Sequence, residues 1–172
     1  MLQRRQQSMN LPTDTQVVRD VSYGNSPQQR FDVYAPPHAD HAPVIFMVHG
    51  GAWAFGEKTA RGVVQNKVAR WVSRGFIFVS VDYRMLPQAS PLTQAEDVAQ
   101  ALAYAQQHIA QWGGDPDAFV VMGHSAGAHL VALISTDTSI GKRHGVAPWL
   151  GTVSLDSAAL NVVATMQARH LP

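Results

Sequence analysis

The chain has 172 residues, enough for one domain with a hydrophobic core. Hydrophobic residues make up 46% of it and charged residues 15%, a composition that excludes global disorder. The net charge is +1, too weak a field to recruit nucleic acid or an anionic membrane surface, so we expect neither partner. The absence of cysteine excludes disulfides, thiolate zinc sites and cysteine nucleophiles.

The N-terminal segment contains Arg4 and Arg5, but the apolar stretch that a signal peptide needs does not follow them. No apolar run reaches the length of about 18 residues that a transmembrane helix requires. We therefore expect a cytoplasmic protein. We expect residues 1–15 to form a flexible tail and residues 16–172 to form a single domain that is truncated at its C-terminus.

Short apolar segments alternate with helical patterns along the chain. Two alternating segments, 16–23 and 30–34, flank a Gly-Asn-Ser-Pro turn and predict a hairpin of two edge strands. Continuous apolar runs predict four strands that are buried on both faces: 44–48, 76–81, 118–122 and 152–155. Helical spacing predicts three helices: 59–74, 93–112 and 128–135. The alternation predicts an α/β fold with a mostly parallel sheet and helices on both faces.

The strongest chemical signal is Gly123-x-Ser125-x-Gly127, which lies between a predicted strand and a predicted helix. Glycines on either side allow a sharp turn and a close approach of neighbouring backbone. The Ser125 hydroxyl would then project above the sheet at a helix N-terminus, where free N–H groups favour a developing negative charge. The pattern predicts Ser125 as a catalytic nucleophile. The structural alternative is a glycine-rich helix start that a serine caps.

A second motif, His49-Gly50-Gly51-Ala52-Trp53, follows the first buried strand. Acyl transfer creates an oxyanion that needs hydrogen-bond donors already in place. We predict that the N–H groups of Gly51 and Ala52 form half of this oxyanion hole, with Gly50 needed for the turn. The N–H group of Ala126, directly after the serine, is predicted to form the other half.

Several side chains near these motifs are candidates for substrate contact or for structural roles. We predict that Trp53 and Phe55 form the wall of the substrate pocket; the alternative for both is a position in the core. His124 is expected beside the serine turn, where it either packs or contacts the substrate. Arg84 and Asp97 are expected to form an ion pair that fixes the loop between them.

The histidines outside the serine turn give no metal-site pattern. His38 and His41 are three residues apart but lack a third ligand nearby, so we expect no metal. His129 is expected to pack under the sheet edge or to face solvent. His144 is expected in a surface loop.

Together the motifs resemble those of the α/β-hydrolase esterase and lipase family. Within that family, the chain resembles the branch with an HGGxW loop. This branch includes carboxylesterases, acetyl- or feruloyl-type esterases and kynurenine-formamidase-like enzymes. The resemblance extends from about Tyr23 to the end of the chain and includes Arg30-Phe-Asp-Val-Tyr, Asp82-Tyr83-Arg84 and Gly113-Gly114-Asp115-Pro116. It implies an α/β-hydrolase sheet, Ser125 as nucleophile, a small-molecule ester as substrate and no metal or organic cofactor.

The resemblance also implies that the triad acid and histidine follow the serine along the chain, beyond two further strands. At about 30 residues per βαβ unit, the chain ends before those positions. Asp156 and His170 are the weaker candidates for acid and base within it. The strand at 152–155 would form an exposed edge, which predicts self-association. The alternative to a serine carboxylic-ester hydrolase is a non-catalytic binding module or an inactive fragment.

Overall fold

A computed structural model describes residues 10–157 and 160–168 of the chain. Its strands, in chain order, are β1 (Gln16–Ser22), β2 (Arg30–Ala35), β3 (Ala42–Val48), β4 (Ile77–Val81), β5 (Gly114–His124) and β6 (Gly151–Leu155). Its helices are α1 (Arg61–Val72), α2 (Pro91–His108), α3 (Ala126–Thr136), α4 (Thr138–His144) and α5 (Val162–Ala168). A 3-10 turn, Ile109–Trp112, follows α2. Most of the predicted flexible tail, residues 1–9 of 1–15, lies outside the described residues, so that prediction stays a prediction.

The six strands form one mixed sheet in the order β1-β2-β4-β3-β5-β6. β2 pairs antiparallel with both β1 and β4, whereas β4, β3, β5 and β6 run parallel. The predicted α/β fold with a mostly parallel sheet is confirmed. The prediction of two edge strands is wrong for β2, which lies inside the sheet and buries its residues from Phe31 to Ala35.

Side chains on the two faces of the sheet form two separate hydrophobic cores. In β3, Val44, Phe46 and Val48 pack into the core under α2 and α3. Ile45 and Met47 point to the opposite face and pack against α1. This alternation explains why β3 reads as a continuous apolar run, because both of its faces are covered by helices.

Local capping residues set the helix ends, and they correct two sequence predictions. The N-cap Ser90 accepts a hydrogen bond from the Thr93 N–H at 3.3 Å, so α2 begins earlier than predicted. Asp137 caps α4, a helix that the sequence analysis missed. His144 therefore lies in the last turn of a helix rather than in a loop. Its Nε2 is 2.5 Å from a carboxylate oxygen of Glu96 in α2.

β6 differs from the predicted doubly buried strand. Its residues alternate between half-buried and exposed. Among the described strands, β6 pairs with β5 alone, so one edge of it carries no strand. None of the helices in the described parts of the chain has the length and apolar character that crossing a bilayer requires.

The predicted ion pair between Arg84 and Asp97 is confirmed and is largely buried. Asp97 is 1% exposed and accepts hydrogen bonds from the Arg84 backbone N–H, from Nε at 2.9 Å and from Nη2 at 2.6 Å. Gln29 Nε2 donates a further bond at 3.0 Å. These bonds connect the loop after β4 to α2 and to the turn before β2.

We expect Asp97→Asn to lower the free energy of unfolding by about 2–3 kcal/mol, because a buried acceptor of several charge-assisted bonds is lost. The matched control is Glu96→Gln on the same helix. Glu96 is more exposed, so its ion pairs are expected to contribute about 1 kcal/mol or less. Urea denaturation measures both changes, and equal losses in the two variants would contradict the assignment.

Candidate active site

Ser125 lies in a strained turn between β5 and α3, as predicted. Its backbone has φ +54° and ψ −116°, a conformation that costs a non-glycine residue about 1–3 kcal/mol. Backbone bonds hold it there: its N–H donates to the Leu155 carbonyl at 2.9 Å, and its carbonyl accepts from the His129 N–H at 3.1 Å. The Ser125 side chain makes no capping bond to α3. The geometry is therefore not that of a serine-capped helix start.

The glycines around Ser125 are required by close backbone contacts. A Cβ on Gly123 would lie 2.3 Å from the Gly127 carbonyl oxygen. A Cβ on Gly127 would lie 2.2 Å from the Val48 oxygen and 2.5 Å from the His49 oxygen. The first turn of α3 therefore sits directly on the end of β3, and only glycine fits between them.

The segment 50–56 contains the predicted oxyanion-hole residues Gly51 and Ala52 and contacts the serine turn. We call it the oxyanion loop after that prediction. A Cβ on Gly50 would lie 2.9 Å from Ser125 Cβ and 2.8 Å from the His124 oxygen. Gly50 was predicted to be needed for the turn; the structure shows that it is needed for this close approach. The left-handed residues of the turn itself are Gly51 at φ +123°, Ala52 at +50° and Trp53 at +61°.

Two N–H groups of the oxyanion loop have no hydrogen-bond acceptor among the described residues, although the carbonyls next to them are bonded. The Gly50 carbonyl accepts a bond from His49 Nδ1–H at 2.7 Å, and the Gly51 carbonyl accepts from Ala54 and Phe55 at 3.0 and 2.9 Å. In the described part of the chain, the N–H groups of Gly51, Ala52 and Ala126 donate to no protein acceptor. Hydrogen bonds to the carbonyl ends polarise the Gly51 and Ala52 N–H groups and strengthen them as donors.

A buried aromatic contact supports the start of the loop. The imidazole of His49 stacks on the Tyr83 ring at 4.6 Å between centroids, and the Tyr83 hydroxyl donates to the His49 carbonyl at 2.9 Å. Burial raises the pKa of Tyr83, with a contribution from the negative charge of Asp82, so the hydroxyl keeps its proton and donates. His49 Nε2 lies 3.4 Å from an Asp82 carboxylate oxygen.

An ion network that the sequence analysis missed lies behind the loop. Lys58 Nζ is 2.8 Å from an Asp20 oxygen and 3.1 Å from an oxygen of the fully buried Asp32, which also pairs with Arg19 at 2.7 Å. Burial alone lowers the pKa of Lys58, but the two carboxylates outweigh it and raise the pKa. The Lys58 backbone N–H donates to Asp82 at 2.5 Å, which links this network to the support of His49.

The three predicted substrate-contact residues differ in how exposed they are to solvent. Trp53 is 5% exposed and packs in the core under α2 and α3, which fits the core alternative. Phe55 is 67% exposed on the same loop. His124 is half-exposed, with its Nε2 4.0 Å from an oxygen of the exposed Asp156. His170 lies outside the described residues. The roles of Phe55, His124, Asp156 and His170 stay predictions.

His129 lies on α3, one turn after Ser125, and is buried. The Trp53 indole N–H donates to His129 Nδ1 over 3.4 Å, and the two rings are nearly perpendicular. Burial lowers the pKa of His129. Sequence spacing gave no signal for this contact, because the two residues belong to different motifs. Among the described residues, no group of three or more metal-ligating side chains comes together.

Comparison with known proteins identifies the family. The BD-FAE family model matches residues 31–158. The chain belongs to the BD-FAE family. The expected resemblance to α/β-hydrolase esterases is thereby confirmed.

Curated relatives and solved structures agree with this membership. A probable isoprenylcysteine alpha-carbonyl methylesterase, ICMEL1 of Oryza sativa, is 38% identical over 69% of this chain. LipM of Mycobacterium tuberculosis, a probable carboxylic ester hydrolase, is 37% identical over 66%. This chain covers only 27% of the length of either relative. The crystal structure of esterase B from Lactobacillus rhamnosis superposes with a TM-score of 0.67 at 26% identity, covering 87% of this chain and 48% of that one.

The space around two helical glycines predicts opposite effects of replacing each by alanine. We expect Gly127→Ala to destabilise the fold by about 2 kcal/mol or more, because its methyl group would overlap the Val48 carbonyl. Gly62→Ala in α1 is the matched control: open space surrounds that position, so alanine should stabilise by about 0.5–1 kcal/mol. Thermal denaturation measures both, and a stable Gly127→Ala variant would contradict the packing.

Burial of His129 predicts a pH dependence of stability. Because its pKa is lowered on folding from an ordinary value of about 6.5, the unfolded chain binds the proton more readily. Its contribution is therefore complete above about pH 6.5 and is lost as the pH falls through the lowered pKa. We expect His129→Gln, which does not titrate, to flatten the decrease in unfolding free energy as the pH falls below about 6.5. His38→Gln, at an exposed site, is the control; identical profiles for all three proteins would contradict the prediction.

Proposed function

We propose that this chain carries the nucleophile and the oxyanion hole of a serine carboxylic-ester hydrolase that acts on small esters. The observation that supports the proposal best is the contact between the serine turn and the oxyanion loop, within 2.9 Å at the Gly50 and Ser125 Cβ positions. Three N–H groups that have no acceptor within residues 10–157 and 160–168 flank that contact: those of Gly51, Ala52 and Ala126. The printed names of the relatives, a methylesterase and a carboxylic ester hydrolase, support an ester as the substrate class.

In the proposed reaction, Ser125 Oγ attacks the ester carbonyl and gives up its proton to a histidine base. The carbonyl oxygen becomes an oxyanion, which accepts hydrogen bonds from Ala126 and from Gly51 or Ala52. Collapse of this intermediate breaks the ester C–O bond, and the histidine gives its proton to the departing alcohol, which leaves an acyl group on Ser125. Water then gives a proton to the histidine and attacks the acyl-serine; the acid leaves and Ser125 Oγ takes the proton back. The chemistry needs neither a metal nor an organic cofactor.

The identity of the base is part of the proposal, because two described histidines have other tasks. His49 donates to the Gly50 carbonyl, and His129 accepts from Trp53. The family order implies a histidine later in the chain, with His170 as the candidate within it. The activity of the whole protein is likewise part of the proposal, since this chain covers about a quarter of the length of its curated relatives. Self-association through the free edge of β6 and a cytoplasmic location stay predictions.

A fluorophosphonate probe tests the nucleophile directly. We expect one adduct, located on Ser125 by peptide mass spectrometry, because Ser125 Oγ displaces fluoride from phosphorus while the proposed oxyanion hole stabilises the phosphoryl oxygen. Ser125→Ala should abolish the adduct. Ser135→Ala, on the same helix but bonded to the Val131 carbonyl, should leave it unchanged. Undiminished labelling in Ser125→Ala, or no adduct in the folded wild-type chain, would contradict the proposal.

A further inference from the structure

We propose that His129 and Gln94 are positioning residues for the oxyanion loop and that both act on it through Trp53. The inference rests on the proposed function, because it concerns the loop that supplies two of the proposed donors. Neither residue lies in the loop: Gln94 belongs to α2 and His129 to α3. Trp53 directly follows Ala52 in the loop, and the side chains of Gln94 and His129 both form hydrogen bonds with it.

The conformation of the loop is one that it would not keep by itself. Gly51 and Gly56 have φ values of +123° and +104°, and the non-glycine residues Ala52 and Trp53 have +50° and +61°. A left-handed backbone is unfavourable for a non-glycine residue and persists only where the surrounding structure holds it. The bonds from Ala54 and Phe55 to the Gly51 carbonyl are internal to the loop, so they move with it. Bonds from outside the loop are needed to fix where its N–H groups lie.

Trp53 receives such bonds at both its backbone and its side chain. Its carbonyl accepts from Gln94 Nε2 at 2.8 Å and from the Leu86 N–H at 2.9 Å. Its indole N–H donates to His129 Nδ1 at 3.4 Å, and the indole is packed edge to face against the imidazole at 5.5 Å between ring centroids. The loop is thereby fixed to α2, to the segment after β4 and to α3.

The orientation of the Gln94 amide shows that its bond to Trp53 is kept at a cost. Gln94 is fully buried, and its Nε2 donates to the Ala89 carbonyl as well as to Trp53. Its Oε1 is buried and has no hydrogen-bond partner among the described residues. A flipped amide would place Oε1 against two carbonyl oxygens and lose both bonds. An unpaired buried acceptor is unfavourable, and in this amide orientation the two bonds of Nε2, one of them to the Trp53 carbonyl, are kept in exchange.

His129 also connects the loop to the nucleophile. Its backbone N–H donates to the Ser125 carbonyl at 3.1 Å, while its ring accepts the Trp53 indole N–H. Because Nδ1 accepts this bond, the ring proton of the neutral imidazole lies on Nε2. Ser125, His129 and Trp53 thus form a short bonded path from the nucleophile to the residue next to Ala52. The path holds the two halves of the proposed oxyanion hole at a fixed separation.

The test combines a spectroscopic readout with a rate. In an NMR spectrum of the 15N-labelled chain, the Trp53 indole signal is assigned by its loss in Trp53→Phe. We expect His129→Leu to shift this signal and the amide signals of Gly51 and Ala52. His129→Gln keeps an acceptor and should leave the amide signals close to wild type. We expect Gln94→Met to shift the amide signals as well. Val131→Ala, a buried position on α3, is the packing control.

The rate of fluorophosphonate labelling at Ser125 is expected to fall about 10- to 100-fold in His129→Leu and to recover in His129→Gln. If His129→Leu does not fold, Trp53→Phe removes the indole N–H together with part of the ring, and the Gly51 and Ala52 amide signals then give the comparison. Unchanged Gly51 and Ala52 signals, or equal slowing in His129→Leu and His129→Gln, would overturn the inference. Shifted signals in a protein whose Ser125 is never labelled would support the positioning of the loop and contradict the proposed function alone.

Discussion

The close backbone contact between the ends of β3 and β5 is the constraint on which the site depends. The two strands are parallel neighbours in register, with Val48 opposite Gly123, so the segments that follow them leave the sheet at the same level. They share a space too narrow for a Cβ at Gly50 or Gly127. This contact puts the Ser125 turn and the oxyanion loop side by side. The acyl-transfer chemistry that we propose is a consequence of that proximity.

The strain at this contact is offset by bonds in the surrounding structure. Ser125, Ala52 and Trp53 all have left-handed backbone conformations. Behind them, Asp97 is satisfied by Arg84, and the buried charges of the Lys58 network compensate one another. Removing one partner from a buried ion pair lowers the free energy of unfolding by about 3–5 kcal/mol, because the other charge stays buried and unpaired. They therefore give the loops one well-defined geometry rather than merely adding stability.

Patterns that are local in the sequence could be predicted well. The continuous apolar run of β3 and the Gly-x-Ser-x-Gly turn identified the sheet and the strained serine, because strand burial and a tight turn each restrict the residues at a few consecutive positions. The pairing of Arg84 with Asp97 was also predicted, since both lie at element ends on one side of the sheet.

Features that depend on contacts between distant segments could not be predicted. β2 reads as an edge strand by its flanking prolines and turn, yet it pairs with β4, which lies far along the chain. The motif left Trp53 between a pocket wall and the core, and its contact with His129, 76 residues further along the chain, could not be predicted from it. The ion network of Lys58 joins charges from three segments, and no spacing in the sequence relates them.

A crystal structure of the chain with a phosphonate bound to Ser125 tests the central claim most directly. The phosphonate oxygen stands in for the oxyanion of the acyl-transfer intermediate. The account predicts that this oxygen accepts hydrogen bonds from the Ala126 N–H and from the Gly51 or Ala52 N–H, each at about 2.7–3.1 Å. An oxygen directed into solvent, with those N–H groups bonded elsewhere, would contradict it.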